Sequence, residues 1–149
     1  MAKKDNIKIL LVDDEEDFVN ALSQRIKLRK LDSEIAYDGE QALQIVDDQV
    51  PGVIVLDLKM PGIDGFEVLK SVKRNYPKVE VIILTGHGTE RDKIETQKLG
   101  AFDYLQKPVD VDNLVDRIKS AFKKKIETAL MARTFAEAGE FDEARKILK

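Results

Sequence analysis

Four short stretches of the chain hold side chains that could do chemistry together. Asp13-Asp14 follows the apolar run Ile7-Lys8-Ile9-Leu10-Leu11-Val12, and Asp57 follows Val53-Ile54-Val55-Leu56. Thr85-Gly86 follows Val79-Glu80-Val81-Ile82-Ile83-Leu84, and Lys107-Pro108 comes just after Phe102-Asp103-Tyr104-Leu105. Taken singly, each is an ordinary strand-end or turn residue. Gathered in one place, they make a pocket of three carboxylates, a hydroxyl and an ammonium. Three carboxylates so close repel one another, which raises at least one pKa unless a cation is present. A hard dication removes that cost, and a few carboxylates with room for water suit magnesium better than an all-protein calcium cage. The matching reaction is phosphoryl transfer. Asp57 is the candidate nucleophile that forms an aspartyl phosphate, while magnesium and Lys107 neutralise the transferring oxygens. Gly86 leaves room for backbone amides to approach those oxygens.

The elements that must position these groups are legible in the hydrophobic pattern. The three long apolar runs read as strands covered on both faces, because such strands need no polar alternation. Ser33-Glu34-Ile35-Ala36 and Phe102-Asp103-Tyr104-Leu105 are weaker strand candidates. Between them lie stretches with helical spacing. Phe18, Leu22 and Ile26 follow Glu15-Glu16-Asp17, acids suited to a helix start. Ala42, Leu43 and Val46 mark a second helix, and Phe66, Leu69 and Val72 a third after the turn residues Pro61-Gly62 and Asp64-Gly65. Thr89 with Asp92 forms a capping-box pattern, with Leu99-Gly100 as the matching stop. Asp110 is positioned to cap a fifth helix carrying Leu114, Ile118 and Phe122. Five strands alternating with five helices predict a doubly wound α/β fold with a parallel sheet. Ligands of such sheets bind outside the carboxyl ends of the strands, where the strand order reverses. All four chemical stretches stand at strand carboxyl ends.

Composition narrows the function classes. The 149 residues hold 25 Lys+Arg against 28 Asp+Glu, with no Cys and no Trp, and His87 is the single histidine. These counts exclude a disulfide scaffold, a thiol nucleophile, every cysteine-bearing zinc site and a multi-histidine centre. The acidic excess lies in residues 1–119, which argues against binding along a nucleic-acid backbone. No apolar run approaches the roughly 20 residues of a membrane span, and Met1-Ala2-Lys3-Lys4-Asp5-Asn6 is polar rather than a signal peptide. The expectation is a cytoplasmic protein that binds neither membrane nor nucleic acid. No GxxxxGK[ST] loop or GxGxxG turn follows the first strand, so a nucleotide switch is excluded.

The runs Leu11-Val12-Asp13-Asp14-Glu15, Val55-Leu56-Asp57-Leu58-Lys59-Met60-Pro61-Gly62-Ile63-Asp64-Gly65, Thr85-Gly86-His87-Gly88 and Gly100-Ala101-Phe102-Asp103-Tyr104-Leu105-Gln106-Lys107-Pro108 strongly resemble the receiver domain of bacterial two-component response regulators. The resemblance spans about residues 5–124, with order and spacing preserved. It implies a flavodoxin-like, five-stranded parallel sheet of order 2-1-3-4-5. It further implies Asp57 as phosphoacceptor, Asp14 as a direct magnesium ligand, Asp13 as a ligand largely through water, and the backbone carbonyl of Lys59 as the remaining protein ligand. Thr85 would be the switch hydroxyl, Tyr104 the aromatic that then rotates inward, Lys107 the partner of the phosphoryl oxygens, and Pro108 the site of a cis peptide bond. Lys59 and His87 take the places that tune attack of water on the phosphoaspartate. His87 itself reads as an exposed loop residue, since the family takes its phosphate from a histidine on another protein, a sensor kinase or phosphotransfer protein. Two other readings compete. A phosphatase of the haloacid-dehalogenase type would need a DxD pattern that Asp13-Asp14-Glu15 lacks, and a phosphate-independent scaffold would have no need of the complete acceptor set.

The helix from Thr89 to Leu99 is strongly polar, with Ile94 and Leu99 as its expected anchors, and suits a surface that shifts cheaply. Phosphorylation would act on the fourth helix, fifth strand and fifth helix. An extension occupies residues 125–149. The stripe Ile118, Phe122, Ile126, Leu130 and Phe135 predicts a fifth helix continuing to about Ala138, Gly139 a stop, and residues 140–149 a short further helix. The segment from Phe135 to Lys146 is similar to the interhelix turn of a tetratricopeptide-type repeat. This extension reads as a homodimerisation arm, a docking arm for a downstream protein, or a helix folded back on its own domain.

Overall fold

The computed structural model describes residues 7–137. Five strands and five helices alternate in the order β1 (Ile9–Val12), α1 (Glu16–Lys27), β2 (Ser33–Ala36), α2 (Gly39–Asp48), β3 (Val53–Leu56), α3 (Gly65–Asn75), β4 (Glu80–Thr85), α4 (Glu90–Lys98), β5 (Asp103–Gln106) and α5 (Val111–Glu137). The sheet is parallel, with strand order β2-β1-β3-β4-β5. This is the flavodoxin-like doubly wound arrangement expected from the sequence. The reversal of strand order falls between β1 and β3, where Val12 lies beside Leu56.

Burial follows strand position. Every residue of β1, β3 and β4 is buried, whereas the edge strands β2 and β5 bury one residue each, Ala36 and Tyr104. Side chains alternate between the two faces and so feed two separate cores. Ile9, Leu11, Val53, Val55, Ile82 and Leu84 pack with α1 and α5. Leu10, Val12, Ile54, Leu56, Val81 and Ile83 pack with residues of α2 and α3. Full burial of such aliphatic side chains contributes roughly 1.5–3 kcal/mol each, so the central strands are the rigid part of the fold. The strand ends inherit that rigidity.

Local signals set the helix starts. Asp38 and Asp64 accept from the backbone N–H groups of Gln41 and Glu67 and cap α2 and α3. Thr89 and Asp92 form a reciprocal capping box on α4, and Gly100 takes the left-handed φ of +99° just past its end. Asp110 stands directly before α5, its carbonyl accepting from the Leu114 N–H.

One anchor of α4 is corrected. Ile94 is 47% exposed, while Thr96 is fully buried and donates its hydroxyl hydrogen bond to the Lys93 carbonyl. The small hydroxyl residue fits beneath the helix where it approaches the sheet, and the isoleucine faces outward. Leu99 does pack against the core, though only partly buried.

In α5, Leu114, Ile118 and Ala121 are buried. The helix then continues to Glu137, with Ile126, Leu130 and Met131 exposed. Its 27 residues span about 40 Å. The expected stop at Gly139 and the further helix over 140–149 lie outside the described residues. Among the described residues, no helix is long and apolar enough to cross a membrane.

Candidate functional site

Asp13, Asp57 and Lys107 are each the first position past a strand and keep one ladder hydrogen bond, and Asp14 follows directly after Asp13. The Asp13 N–H donates to the Ala36 carbonyl at 3.1 Å, that of Asp57 to Val12 at 3.0 Å, and that of Lys107 to Thr85 at 3.0 Å. Their side chains therefore leave the sheet edge at fixed places. The turn after Asp57 is drawn in by Gly65, whose N–H donates to the Leu58 carbonyl at 2.9 Å. A Cβ on Gly65 would lie 2.6 Å from the Leu58 Cα, so only glycine lets α3 begin so close to the Asp57 backbone.

Carboxylate oxygens of Asp13, Asp14 and Asp57 lie within 4.8 Å of one another. Asp13 and Asp57 are buried and Asp14 is exposed. The Lys107 ammonium is 2.7 Å from Asp13, 2.8 Å from Glu15 and 3.7 Å from Asp57. It also sits 4.3 Å from the ring centroid of Phe18. Both oxygens of Asp13 are engaged, Oδ1 by the Glu15 N–H at 2.9 Å and Oδ2 by Lys107.

The charges respond to these surroundings. Burial pushes the Asp13 carboxyl above its ordinary value, and the nearby Asp57 adds to the rise, although the bonds from Lys107 and the Glu15 N–H pull the other way. Glu15, by contrast, is exposed, and its hydrogen bond to Lys107 lowers its pKa. Burial alone would lower the pKa of Lys107, but the bonds to Asp13 and Glu15 prevail and raise it. An acid and its basic partner are thus both raised, because desolvation dominates one and pairing the other.

These residues fit a magnesium ion. The donors are hard carboxylate oxygens from three residues at one strand edge, and two of them are buried beside each other. Asp13, Asp14 and Asp57 could supply the set, although both oxygens of Asp13 are already engaged. Lys59 is exposed two residues after Asp57.

Beside the charged cluster is a second, neutral pair. Thr85 Oγ1 and the Tyr104 hydroxyl are buried without a hydrogen-bond partner among the described residues. Tyr104 is 8% exposed, and burial, then the charges of Asp92 and Glu90, raise its pKa. The aromatic expected to turn inward on switching is therefore already inside. Gly88 makes the space: a Cβ there would overlap the Tyr104 hydroxyl and lie 2.7 Å from Thr85 Cγ2. At Gly86 the need for glycine is weaker, since a Cβ would meet only the Lys107 stem at 3.6 Å. His87 is exposed, and the Lys107–Pro108 peptide is cis.

Of the charged positions expected at the site, Asp13 and Asp57 lie against Lys107, Asp14 joins those two acids, and the Lys59 side chain is exposed. Three further contributors were not singled out. Glu15 and Phe18 carry helix-start and helix-periodicity signals that conceal their contact with a lysine about ninety residues on, and Gly88 carries no local signal for the tyrosine ring above it.

Residues 9–119 match the family model for the response regulator receiver domain. A putative NtrX-like response regulator of Rickettsia typhi is 35% identical over 117 residues, covering 77% of this chain and 25% of that protein. The chain thus spans about a quarter of the length of the curated relatives it matches. The Francisella response regulator 1452 receiver domain superposes with a TM-score of 0.75 at 33% identity, over 80% of this chain and 98% of that one. The signal receiver domain of a putative LuxO repressor from Vibrio parahaemolyticus gives 0.79 at 30% identity, over 84% and 96%. With the strand order, the strand-edge acids and the sequence match in agreement, the chain belongs to the response regulator receiver domain family of two-component systems.

Proposed function

We propose that this receiver accepts a phosphoryl group on Asp57 from the phosphohistidine of a sensor kinase or phosphotransfer protein and relays the change through α4, β5 and α5. The observation that carries the reading is the meeting of the Asp13, Asp14 and Asp57 oxygens within 4.8 Å, with the Lys107 ammonium against Asp13 at 2.7 Å and 3.7 Å from Asp57. An Asp57 oxygen attacks phosphorus, the phosphorus–nitrogen bond breaks, and the donor histidine leaves with the electron pair. Asp13, Asp14, Asp57 and the backbone carbonyl of Lys59 would hold magnesium. When bound, the ion offsets negative charge on the transferring oxygens. Lys107 neutralises what remains and orients one oxygen. Thr85 Oγ1 has no partner among the described residues and is available to donate to the new phosphoryl oxygens.

The product is a switch state rather than a released metabolite, so the domain catalyses only its own phosphorylation and dephosphorylation. The receiver unit spans residues 5–124, and the extension from 125 carries the signal to a downstream partner or a second copy. The reading implies the cytoplasm, where kinase and receiver meet, and gives no role to nucleic acid or membrane for this unit. The haloacid-dehalogenase alternative finds no support, as position 15 is Glu rather than the second Asp of DxD. Incubation with acetyl phosphate and magnesium, followed by intact mass, tests the assignment. Wild type should gain one phosphoryl mass and Asp57→Asn none; full labelling of the variant would refute it.

A further inference from the structure

The Lys107 ammonium does not rest on Asp57. Its two short contacts are with Asp13 at 2.7 Å and Glu15 at 2.8 Å, while Asp57 stands at 3.7 Å, beyond hydrogen-bond reach. An ammonium has three N–H donors, and here two are committed on the α1 side of the pocket. Phe18, also on α1, lies against the same ammonium. Glu15 occupies the position just before α1, where a side chain often caps the helix, yet it makes no capping bond. Its backbone N–H is turned instead to Asp13 Oδ1 and its carboxylate to Lys107.

A phosphoryl group on Asp57 would bring new anionic oxygens that need this ammonium. One donor is left for them, but Asp57 is 3.7 Å off, so Lys107 must move toward it to use that donor, and the move loosens one of its two carboxylate contacts. Releasing Asp13 would strip a partner from a side chain that is 5% exposed, a costly loss for a charge in that setting. Glu15 is 61% exposed, so water takes over its solvation at once. The contact that yields is the outer one.

We propose that Glu15 is a positioning residue that parks the Lys107 ammonium away from Asp57 and acts as a brake on phosphoryl binding. This rests on Asp57 being the phosphoacceptor. Removing the Glu15 charge leaves Lys107 held by Asp13 alone and freer to swing toward Asp57. The same loss at Glu16, an exposed acid one position on, changes the overall charge equally without touching Lys107.

The test is a titration with beryllofluoride at saturating magnesium, followed by the backbone amide signals of Thr85 and Gly86, on wild type, Glu15→Gln and Glu16→Gln. Glu15→Gln should bind beryllofluoride about threefold more tightly, the scale of one partly exposed ion pair, with an unchanged melting temperature. Glu16→Gln should match wild type. A merely structural role for Glu15 would instead weaken binding and lower the melting temperature. Equal or weaker binding by Glu15→Gln, or an equal gain in Glu16→Gln, would overturn the proposal while leaving Asp57 as acceptor. Failure of wild type itself to take up beryllofluoride would instead bring down the acceptor reading and this inference together.

Discussion

Two polar groups sit side by side at the carboxyl end of the sheet, and the fold treats them in opposite ways. In the charged group, Asp13, Glu15 and Lys107 satisfy one another through short contacts. In the neutral group, Thr85 Oγ1 and the Tyr104 hydroxyl are buried and unpaired among the described residues. The first is closed by electrostatics, the second by packing around a missing Cβ at Gly88. Buried polar groups that find no partner cost about 1–3 kcal/mol each, and such groups in a native structure usually mark a functional constraint. The difference locates where the domain can respond. A phosphoryl charge on Asp57, as proposed, would meet an acidic set whose one ammonium is already engaged, and beside it a hydroxyl with no partner among the described residues. Rearrangement of the neutral group would then cost little, because it gives up no hydrogen bond of these two hydroxyls.

The sharpest way to break this contrast is to remove the balance in the charged group. Lys107→Met leaves Asp13 and Asp57 buried without their cation, and the metal-free domain should lose about 2–3 kcal/mol, measured by urea denaturation. Magnesium, able to replace the missing charge, should then raise the melting temperature of the variant more than that of wild type. An unchanged stability without metal would mean that the acids are not held by Lys107 at all.

A smaller effect should come from removing the space in the neutral group. Gly88→Ala puts a Cβ where the Tyr104 hydroxyl and Thr85 Cγ2 now lie. The ring can escape outward past the polar α4, so the cost should be about 1–2 kcal/mol, typical of overpacking with a route to relax. Tyr104 should become accessible to nitration by tetranitromethane in the variant and remain protected in wild type. Tyr104 staying protected in Gly88→Ala would show that the glycine does not set the ring position.

The two groups also differ in how far the sequence disclosed them. The acids follow continuous apolar runs, so strand ends and chemistry were legible together, and the parallel βα alternation fixed which edge they share. The edge strands were fainter, because β2 and β5 each bury one residue, Ala36 and Tyr104, and read as short mixed segments. What stayed hidden depends on contacts between distant residues. Phe18 fits the α1 periodicity, yet it covers Lys107 from a half-buried position. Ile94 looked like an anchor because apolar residues usually are, but α4 meets the sheet through Thr96. Gly88 is required by a ring sixteen positions on, and nothing in its own neighbourhood announces that.

The least drastic change addresses whether the unpaired hydroxyls are a burden at all. Tyr104→Phe keeps the ring against Gly88 and Thr85 and deletes only the buried oxygen that lacks a partner. If the hydroxyl costs folding energy, the variant should be as stable as wild type or more stable by up to about 1 kcal/mol, because replacing an unsatisfied polar group by an isosteric apolar one is neutral or favourable. Most buried tyrosine hydroxyls behave in the opposite way, since they are bonded and their loss destabilises. The sign of the change in urea midpoint therefore decides the matter. A gain would identify the neutral group as carrying strain that phosphorylation could relieve by supplying Thr85 with an acceptor and letting the ring resettle. A loss of about 1 kcal/mol would mean that the hydroxyl is satisfied in solution, and the contrast between the two groups would then reduce to one of charge alone.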